Sequence, residues 1–216
     1  MLTGAAEGKP GRNCPRCPRL VDFRNRWRTE EPTWFNAPVP SFGPLDARLL
    51  IVGLAPGLQG ANRTGRPFTG DYAGVLLYET LKRFGFARGD YAARPDDGLE
   101  LVDCRITNAV RCVPPENKPA AAEIRTCRDF LKATLAEMTR LRAVVTLGRI
   151  AHESTIRALH GRLADVPFGH GKEHRLGPLA IFCSYHCSRY NTNTGVLTPP
   201  MFREVFALAR RYLDRG

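Results

Sequence analysis

Short apolar segments that alternate with segments of helical periodicity limit the fold of this chain more than any other feature of its sequence. Apolar runs of about four to eight residues, bounded by glycine or polar turn residues, are typical of buried strands. The strands are predicted at residues 48–53, 105–110, 142–147 and 179–186, and the helices at about 71–84, 119–138, 149–159 and 200–213. This alternation predicts βαβ units and a parallel sheet with helices on both faces.

Parallel sheets of this kind bind their ligands beyond the carboxyl ends of the strands. The loops after residues 53, 108 and 186 are therefore expected to lie close together. A chain of 216 residues has room for one ordinary domain. We expect residues 1–216 to form that single domain.

The N-terminal segment, residues 1–45, is basic and rich in proline. Its first 28 residues combine arginines with the motif Cys-Pro-Arg-Cys-Pro and are predicted to be loop-like. Prolines follow at positions 32, 38, 40 and 44. Because proline lacks the N–H that a helix interior needs, this stretch cannot form a continuous helix.

The charge balance indicates a polyanionic partner. Lysine and arginine total 32 residues against 21 aspartates and glutamates, which gives a formal net charge of +11. Such an excess attracts nucleic acid. The longest apolar runs are too short to cross a bilayer, and residues 1–12 lack the apolar stretch of a secretory signal. We therefore expect a soluble cytoplasmic protein that does not enter a membrane.

Four of the seven cysteines have the spacing of a metal site: Cys14, Cys17, Cys112 and Cys127. Disulfides do not persist in a reducing compartment, and an odd number of cysteines cannot all pair. One close pair and two distant cysteines can supply the four thiolates of a zinc ion or an iron–sulfur cluster, and their spacing does not distinguish the two. The alternative is that the four are buried thiols, which is our interpretation of Cys104 and Cys183.

The loop after the first predicted strand, residues 53–71, is rich in glycine, which lets a backbone approach a ligand closely. It contains no GxGxxG and no Gly-Lys-Ser/Thr, so neither common nucleotide-binding loop is present. Phe68 and Asp71 are candidate site residues in this loop. Core packing would also explain Phe68, and helix capping would also explain Asp71.

Two further strands end in polar side chains. Asn108 ends the second strand, and its amide both donates and accepts, as reading a pyrimidine edge requires. His186 ends the fourth strand and precedes Arg189 and Tyr190, which suit insertion into a nucleic acid stack. The alternatives are an amide satisfied by backbone groups and a structural histidine.

Segments 53–57, 62–71, 107–112, 169–171 and 186–195 together resemble the family 5 (type b) uracil-DNA glycosylases, and the resemblance runs from Cys14 to about Pro199. The four-cysteine pattern is similar to the iron–sulfur cluster ligands shared by families 4 and 5. The resemblance implies a three-layer α/β/α sandwich with a four-stranded parallel central sheet. It also implies a structural [4Fe–4S] cluster without a redox role, with zinc as the alternative.

The activity implied by the resemblance is that of a monofunctional DNA repair enzyme. Such an enzyme flips a deaminated base out of DNA and hydrolyses its N-glycosidic bond, which leaves an abasic site. Uracil is the expected base, with hypoxanthine or other damaged bases as further substrates. We expect a prokaryotic, cytoplasmic monomer that is associated with the nucleoid while it acts. The alternative is a non-catalytic or crosslinking DNA-lesion-binding protein on the same fold.

Carried over by position, the resemblance also assigns roles to residues. Phe68 would stack on the flipped base, Asn108 would hydrogen-bond its edge, and His186 would donate to the base oxygen on which charge develops. The wall beside the base is assigned to Gly53, Leu54 and Ala55. The residues that contact DNA or form a wedge are Arg63, Ser188, Arg189, Tyr190 and Asn191.

The residue that holds the attacking water is less directly assigned. Ala55 lies where other families of the superfamily place Asp or Asn, so we choose Asn62 first and Asp71 second. Without a carboxylate at position 55, catalysis would depend on stabilising the departing base, which predicts a slower enzyme with a broader range of bases. Cys187 stands where the family pattern has proline, which loosens the restraint on the backbone of His186.

Overall fold

The computed structural model describes residues 8–215. The first seven residues of the predicted N-terminal segment, and Gly216, lie outside the described residues. The helices are α1 (Pro18–Glu30), α2 (Ala61–Thr64), α3 (Tyr72–Arg83), α4 (Ala121–Glu137), α5 (Arg149–Ala158), α6 (Arg189–Asn193) and α7 (Pro199–Asp214). The strands are β1 (Leu49–Gly53), β2 (Ala87–Arg88), β3 (Glu100–Leu101), β4 (Cys104–Asn108), β5 (Ala143–Leu147), β6 (Glu173–Leu176) and β7 (Leu179–Ser184).

The central sheet has the strand order β4-β1-β5-β7-β6. The first four of these strands are parallel, and β6 lies antiparallel to β7 at one edge. The predicted α/β fold with a parallel core is confirmed, but the sheet has five strands instead of the four predicted. The sequence does not reveal β6 because its Glu-His-Arg-Leu has no apolar run and no fully buried residue. An edge strand of this kind is held by its backbone hydrogen bonds.

Apolar side chains of β1 alternate between two cores, one on each face of the sheet. Leu49 and Ile51 pack in a cluster with residues of α3 and α7. Leu50 and Val52 pack in a second cluster with residues of α4 and α5. The sheet thus lies between two helical layers, as predicted, and burial on both faces explains the continuous apolar run of β1.

The N-terminal segment contains a helix where the sequence predicts a loop. α1 begins at Pro18, and the missing N–H of proline is not needed in a first helical turn. Leu20 packs with Cys127 and Phe130, and Arg24, one turn further along the same face, is also buried. The prediction was wrong because the many arginines conceal this narrow buried face. The proline-rich stretch after α1 is non-helical, as predicted.

The carboxyl ends of the parallel strands meet at one edge of the sheet. β4 pairs with β1 so that Asn108 lies beside Gly53. β7 ends at Ser184, two residues before the predicted end at His186. The loops after β1, β4 and β7 converge there, as expected. None of the helices between residues 8 and 215 is long and apolar enough to cross a membrane.

Candidate active site

An open pocket with a volume of about 730 Å³ lies where these loops converge. Its walls come from the loop after β1, the first turn of α3, the end of β4 and the segment after β7. The predicted site residues that line it are Leu54, Ala55, Phe68, Asp71, Asn108, His186, Ser188 and Arg189. The fold thus joins side chains that are far apart in the sequence.

Phe68 and His186 are neighbours in the pocket wall. Their ring centroids are 5.9 Å apart and the ring planes are inclined by 28°. Phe68 is 7% exposed and belongs to the core cluster under α3, so it is both a core residue and a pocket residue. Its φ is +52°, a left-handed conformation that residues other than glycine rarely adopt. Such strain persists only where the surrounding structure enforces it.

The side chain of Asn108 lies in the pocket wall and is only 3% exposed. Its carbonyl oxygen Oδ1 has no hydrogen-bond partner in the described part of the chain. Gly53 lies directly beside it, and a methyl group there would overlap Oδ1 and come within 2.7 Å of the Phe68 ring. A buried acceptor without a partner destabilises a folded protein. This oxygen is therefore buried and is not satisfied by backbone groups, so the fold leaves its hydrogen-bonding capacity unused.

Burial lowers the pKa of His186 to about 4, so its imidazole is neutral at neutral pH. One ring nitrogen of a neutral imidazole carries a proton to donate, and the other can accept. Burial is the only influence on this pKa, with no hydrogen bond to the ring from the described residues. The backbone carbonyl of His186 accepts from Asn191 Nδ2 at 2.8 Å. Asn191 therefore holds the backbone, while the ring stays available to a ligand.

Asp71 is both a helix cap and a pocket residue. Its Oδ1 accepts from the backbone N–H of Gly74 at 3.2 Å, which caps α3. Its Oδ2 points toward the loop after β1, where a methyl group on Gly57 would lie 3.0 Å away. Burial raises the pKa of Asp71, and hydrogen bonds from the backbone of α3 oppose that rise. One carboxylate oxygen thus remains for a ligand or a water molecule.

The segment after His186 forms the short helix α6 where a loop was predicted. Ser188 caps it by accepting from the backbone N–H of Asn191 at 3.4 Å. The guanidinium of Arg189 lies 5.6 Å from the ring centre of Tyr72 at the mouth of the pocket. Tyr190 is 74% exposed. This helix therefore brings one cation, Arg189, to the pocket and carries one exposed aromatic side chain, Tyr190, outside the pocket lining.

A second cavity is bordered by all four predicted metal ligands: Cys14, Cys17, Cys112 and Cys127. All four are free thiols. Nη1 of Arg24 lies 3.8 Å from the Sγ of Cys112, and the backbone N–H of Arg111 donates to the Sγ of Cys127 at 3.3 Å. Between residues 8 and 215, no three His, Cys, Asp or Glu side chains lie close enough together for a single metal ion.

Arg24 and Arg111, which border this cavity, are buried with 3% and 2% of their surfaces exposed. The ion pairs formed by the described residues include neither of them. The Nε of each lacks a hydrogen-bond partner within residues 8–215. Burial lowers the pKa of Arg111 to about 10. Buried cations without a counter-charge are unfavourable, so this cavity favours negative charge.

The other three cysteines are buried outside this cavity. Cys104 and Cys183 lie in β4 and β7 and are completely buried, as expected for core thiols. Cys187 is also buried, and its Sγ donates to the carbonyl of Ala73 at 3.5 Å. The residue that replaces the family proline therefore packs against the first turn of α3.

Comparison with known proteins agrees with this geometry. Residues 40–210 match the family model described as the uracil DNA glycosylase superfamily. A type-5 uracil-DNA glycosylase of Thermus thermophilus is 44% identical over 205 residues, which are 92% of this chain and 93% of that protein. The chain belongs to the type-5 family of this superfamily. The resemblance inferred from the motifs is confirmed.

Two further relatives, from one organism, show that this chain is more similar to a type-5 than to a type-4 glycosylase. A type-5 uracil-DNA glycosylase of Pyrobaculum aerophilum is 41% identical over 208 residues, which are 94% of this chain and 90% of that protein. A type-4 uracil-DNA glycosylase of the same organism is 34% identical over 155 residues, which are 71% of this chain and 64% of that protein. The type-5 relatives thus match a larger share of the chain at higher identity.

Five predicted site residues are not among the residues that line the pocket: Gly53, Asn62, Arg63, Tyr190 and Asn191. Asn62 is 1% exposed, and its Nδ2 donates to Oδ1 of Asn36 at 2.8 Å. Arg63, the next residue of α2, is exposed. Asn36 comes from the N-terminal segment, so its contact with Asn62 is a long-range one that sequence patterns do not indicate. The structure does not bring Asn62 to the pocket lining.

The pocket also contains residues that the sequence analysis does not identify, among them Leu58, Gln59, Tyr72 and Asn117. Asn117 has a φ of +57° in the turn Pro115–Asn117 and follows Glu116, whose φ is +54°. Asparagine tolerates this left-handed conformation better than most residues do. Its residue type is therefore the one feature of the sequence that could have pointed to Asn117. Tyr72 could have been identified because it follows the candidate Asp71 directly.

Proposed function

We propose that this chain is a monofunctional DNA glycosylase that binds a uracil flipped out of DNA, hydrolyses its N-glycosidic bond and leaves an abasic site. The observation that carries the proposal is the buried, unpartnered Oδ1 of Asn108 beside the ring of Phe68. Its relatives named as uracil-DNA glycosylases support the same activity. The biological role is the repair of deaminated DNA.

The proposed base-binding wall matches the chemistry of uracil. The Oδ1 of Asn108 accepts the base N–H, its Nδ2 donates to an adjacent base carbonyl, and the ring of Phe68 stacks on the base. Gly53 leaves the space that this amide occupies, and Leu54 and Ala55 complete the wall. Hypoxanthine presents the same pairing of an N–H with a carbonyl, so the enzyme also accepts this deaminated purine.

The bond breaks as negative charge moves onto the departing base and positive charge develops on the sugar. His186 donates its ring N–H to the base oxygen that becomes negative. Its neutral state, caused by burial, keeps the second ring nitrogen unprotonated. A donor that is already oriented toward the developing charge stabilises the transition state more than the ground state.

Asp71 holds the attacking water in this proposal, and Asn62 does not. The side chain of Ala55 offers no polar group, and the amide of Asn62 is bonded to Asn36. The Oδ1 of Asp71 caps α3, and its Oδ2 is left to accept a hydrogen bond from the water. Its carboxylate orients the water and also stabilises the positive sugar.

The net charge of +11 supports DNA as the partner. Tyr190 is the wedge that fills the space of the flipped nucleotide, since it is 74% exposed beside the pocket mouth. Ser188, Arg189 and Asn191 place this wedge, and the exposed Arg63 contacts a backbone phosphate. The enzyme acts as a single-domain monomer in the prokaryotic cytoplasm, on the nucleoid.

The four cysteines fit a [4Fe–4S] cluster better than zinc. They border one cavity, yet no three of the described acidic, thiol or imidazole groups are close enough for a single ion. Four thiolates on such a cluster carry excess negative charge, which the buried Arg24 and Arg111 offset. Cys14 and Cys17 before α1, Cys112 after β4 and Cys127 in α4 would hold the cluster and so join these segments. Its role would be structural and not redox, because these ligands are not among the residues that line the proposed active site.

The test is a labelled duplex that contains one uracil, incubated with the protein and then treated with alkali to cut abasic sites. We expect a single cut at the uracil and none in the matched duplex with thymine. Binding without an alkali-labile site would support the alternative, a non-catalytic or crosslinking DNA-lesion-binding protein. Absorbance near 400 nm in freshly purified protein is the separate test of the iron–sulfur cluster.

A further inference from the structure

The backbone of the loop that carries Phe68 is fixed by side chains from three other segments. The carbonyl of Pro67 accepts from the hydroxyl of Tyr78 at 2.6 Å, and that of Phe68 accepts from the hydroxyl of Tyr91 at 3.2 Å. The carbonyl of Thr69 accepts from Oγ1 of Thr64 at 3.0 Å. Three consecutive carbonyls are thus bonded by hydroxyl groups around the residue with the left-handed backbone.

Tyr91 makes the contact nearest to the base-stacking ring. Its hydroxyl donates to the carbonyl of Phe68, and this hydrogen bond bridges the segment of Tyr91 and the loop of Phe68. Gly74 leaves room for this bridge, because a methyl group at that position would overlap both the Phe68 carbonyl and the Tyr91 hydroxyl. The ring of Tyr91 packs on that of Tyr78 with centroids 4.7 Å apart.

A buried ion pair holds the segment that carries Tyr91. Arg66 and Asp97 form two hydrogen bonds of 2.8 and 2.7 Å, and their side chains are 6% and 1% exposed. Asp97 also accepts from the backbone N–H groups of Ala92 and Leu99, so the segment folds around this carboxylate. Burial would raise the pKa of Asp97, but these hydrogen bonds outweigh it and hold the pKa below its usual range.

Arg66 of this ion pair also bonds a residue of the Phe68 loop, on the other side of Phe68. Nε of Arg66 donates to Oγ1 of Thr69 at 2.8 Å. Residues 89–98, which connect β2 and β3, are therefore attached to the Phe68 loop twice, through Tyr91 and through Asp97. None of these ten residues lines the pocket.

We propose that Tyr91 is a positioning residue for base excision, which acts by fixing the backbone of Phe68 so that its ring stands beside His186. The proposal rests on the proposed role of Phe68 as the surface on which the base stacks. The Arg66–Asp97 ion pair holds Tyr91 in place. The connection between β2 and β3 is thus part of the catalytic apparatus without touching the substrate.

Removing the hydroxyl of Tyr91 tests the proposal, because the ring and its packing stay in place. Tyr91→Phe releases the Phe68 carbonyl and lets the strained backbone relax, which misaligns the base with His186. We expect the single-turnover excision rate of uracil to fall roughly tenfold, because small misplacements of reacting groups lower rates strongly. The Kd for uracil-containing DNA should change little. Tyr212→Phe in α7 is the matched control and should excise uracil at the wild-type rate.

A double-mutant cycle with Phe68→Ala separates positioning from general destabilisation. If Tyr91 acts through Phe68, adding Tyr91→Phe to the Phe68→Ala variant lowers the rate no further. Additive losses, or a wild-type rate for Tyr91→Phe, would overturn the proposal. A wild-type rate for Phe68→Ala would instead refute the role of Phe68 in the proposed function. Unchanged thermal unfolding of Tyr91→Phe confirms that the fold is intact.

Discussion

Replacement of Asn108 by alanine should abolish most of the activity while leaving the protein as stable as before or more stable. The reason is the buried oxygen Oδ1, which has no hydrogen-bond partner in the described chain. We propose that the flipped base supplies this partner. The side-chain amides in protein cores normally have hydrogen-bond partners, so replacing such a residue destabilises the folded protein. This asparagine should behave in the opposite way, because its hydrogen-bonding capacity is kept for the substrate.

The structure gives the sizes of both effects. Removing an unsatisfied buried polar group should stabilise by about 1–3 kcal/mol, reduced by the lost contacts of the side chain. The space left behind joins the open pocket, so no closed cavity forms. A net gain of about 1 kcal/mol raises the Tm of a chain of this size by about 2–4 °C. Loss of two hydrogen bonds to the base, at about 1.5 kcal/mol each, slows excision about a hundredfold.

The assay pairs thermal unfolding with single-turnover excision of uracil from a labelled duplex. Asn36→Ala is the matched control, since Asn36 is also buried, at 1% exposed, but its side chain makes three hydrogen bonds. We expect this control to lose about 3 kcal/mol of stability. If Asn108→Ala lowers the Tm by as much as Asn36→Ala does, or excises uracil at the wild-type rate, the reasoning is refuted.

His186→Ala should slow uracil excision by about a hundredfold or more in the single-turnover assay. The pKa of about 4 at His186 lies below the value of about 6.5 for a histidine in the unfolded chain, so the unfolded state binds a proton first as the pH falls. The stability of the fold should therefore decrease as the pH drops from about 6.5 toward 4. NMR should show the imidazole titrating near pH 4. Gly53→Ala should slow excision about as much as Asn108→Ala, because the added methyl group displaces that amide. Arg24→Gln should lower the absorbance near 400 nm, whereas Arg26→Gln, which removes only an exposed bond to Glu30, should not.

The local patterns of the sequence were sufficient for the core of the fold. β1, β5 and β7 are buried on both faces, so each is visible in the sequence as an apolar run. β4 is more polar, and it ends at Asn108, two residues before its predicted end. β6 and α1 could not be predicted in the same way. β6 is an exposed edge strand, and α1 buries a narrow stripe between arginines, so neither shows a clear apolar period.

The sequence also located the candidate pocket at the sheet edge, but it did not assign every role proposed within it. Asn108 and His186 follow from their positions at the strand ends. The choice between Asn62 and Asp71 as the proposed water-holding residue depended on Asn36, which accepts a hydrogen bond from the amide of Asn62. Tyr91 gave no signal, since its contact with Phe68 forms only when two separate loops fold together.

The sequence by itself determined the order of the four parallel strands and of the four main helices that follow them, the edge of the sheet that carries the pocket, and the family. These depend on hydrophobic period and on motifs, which are local properties of the chain. Only the tertiary structure decided which polar groups are satisfied within the protein and which are left for a ligand. Hydrogen-bond partners such as Asn36 for Asn62, or Tyr91 for Phe68, are distant in the chain and meet only when the layers pack.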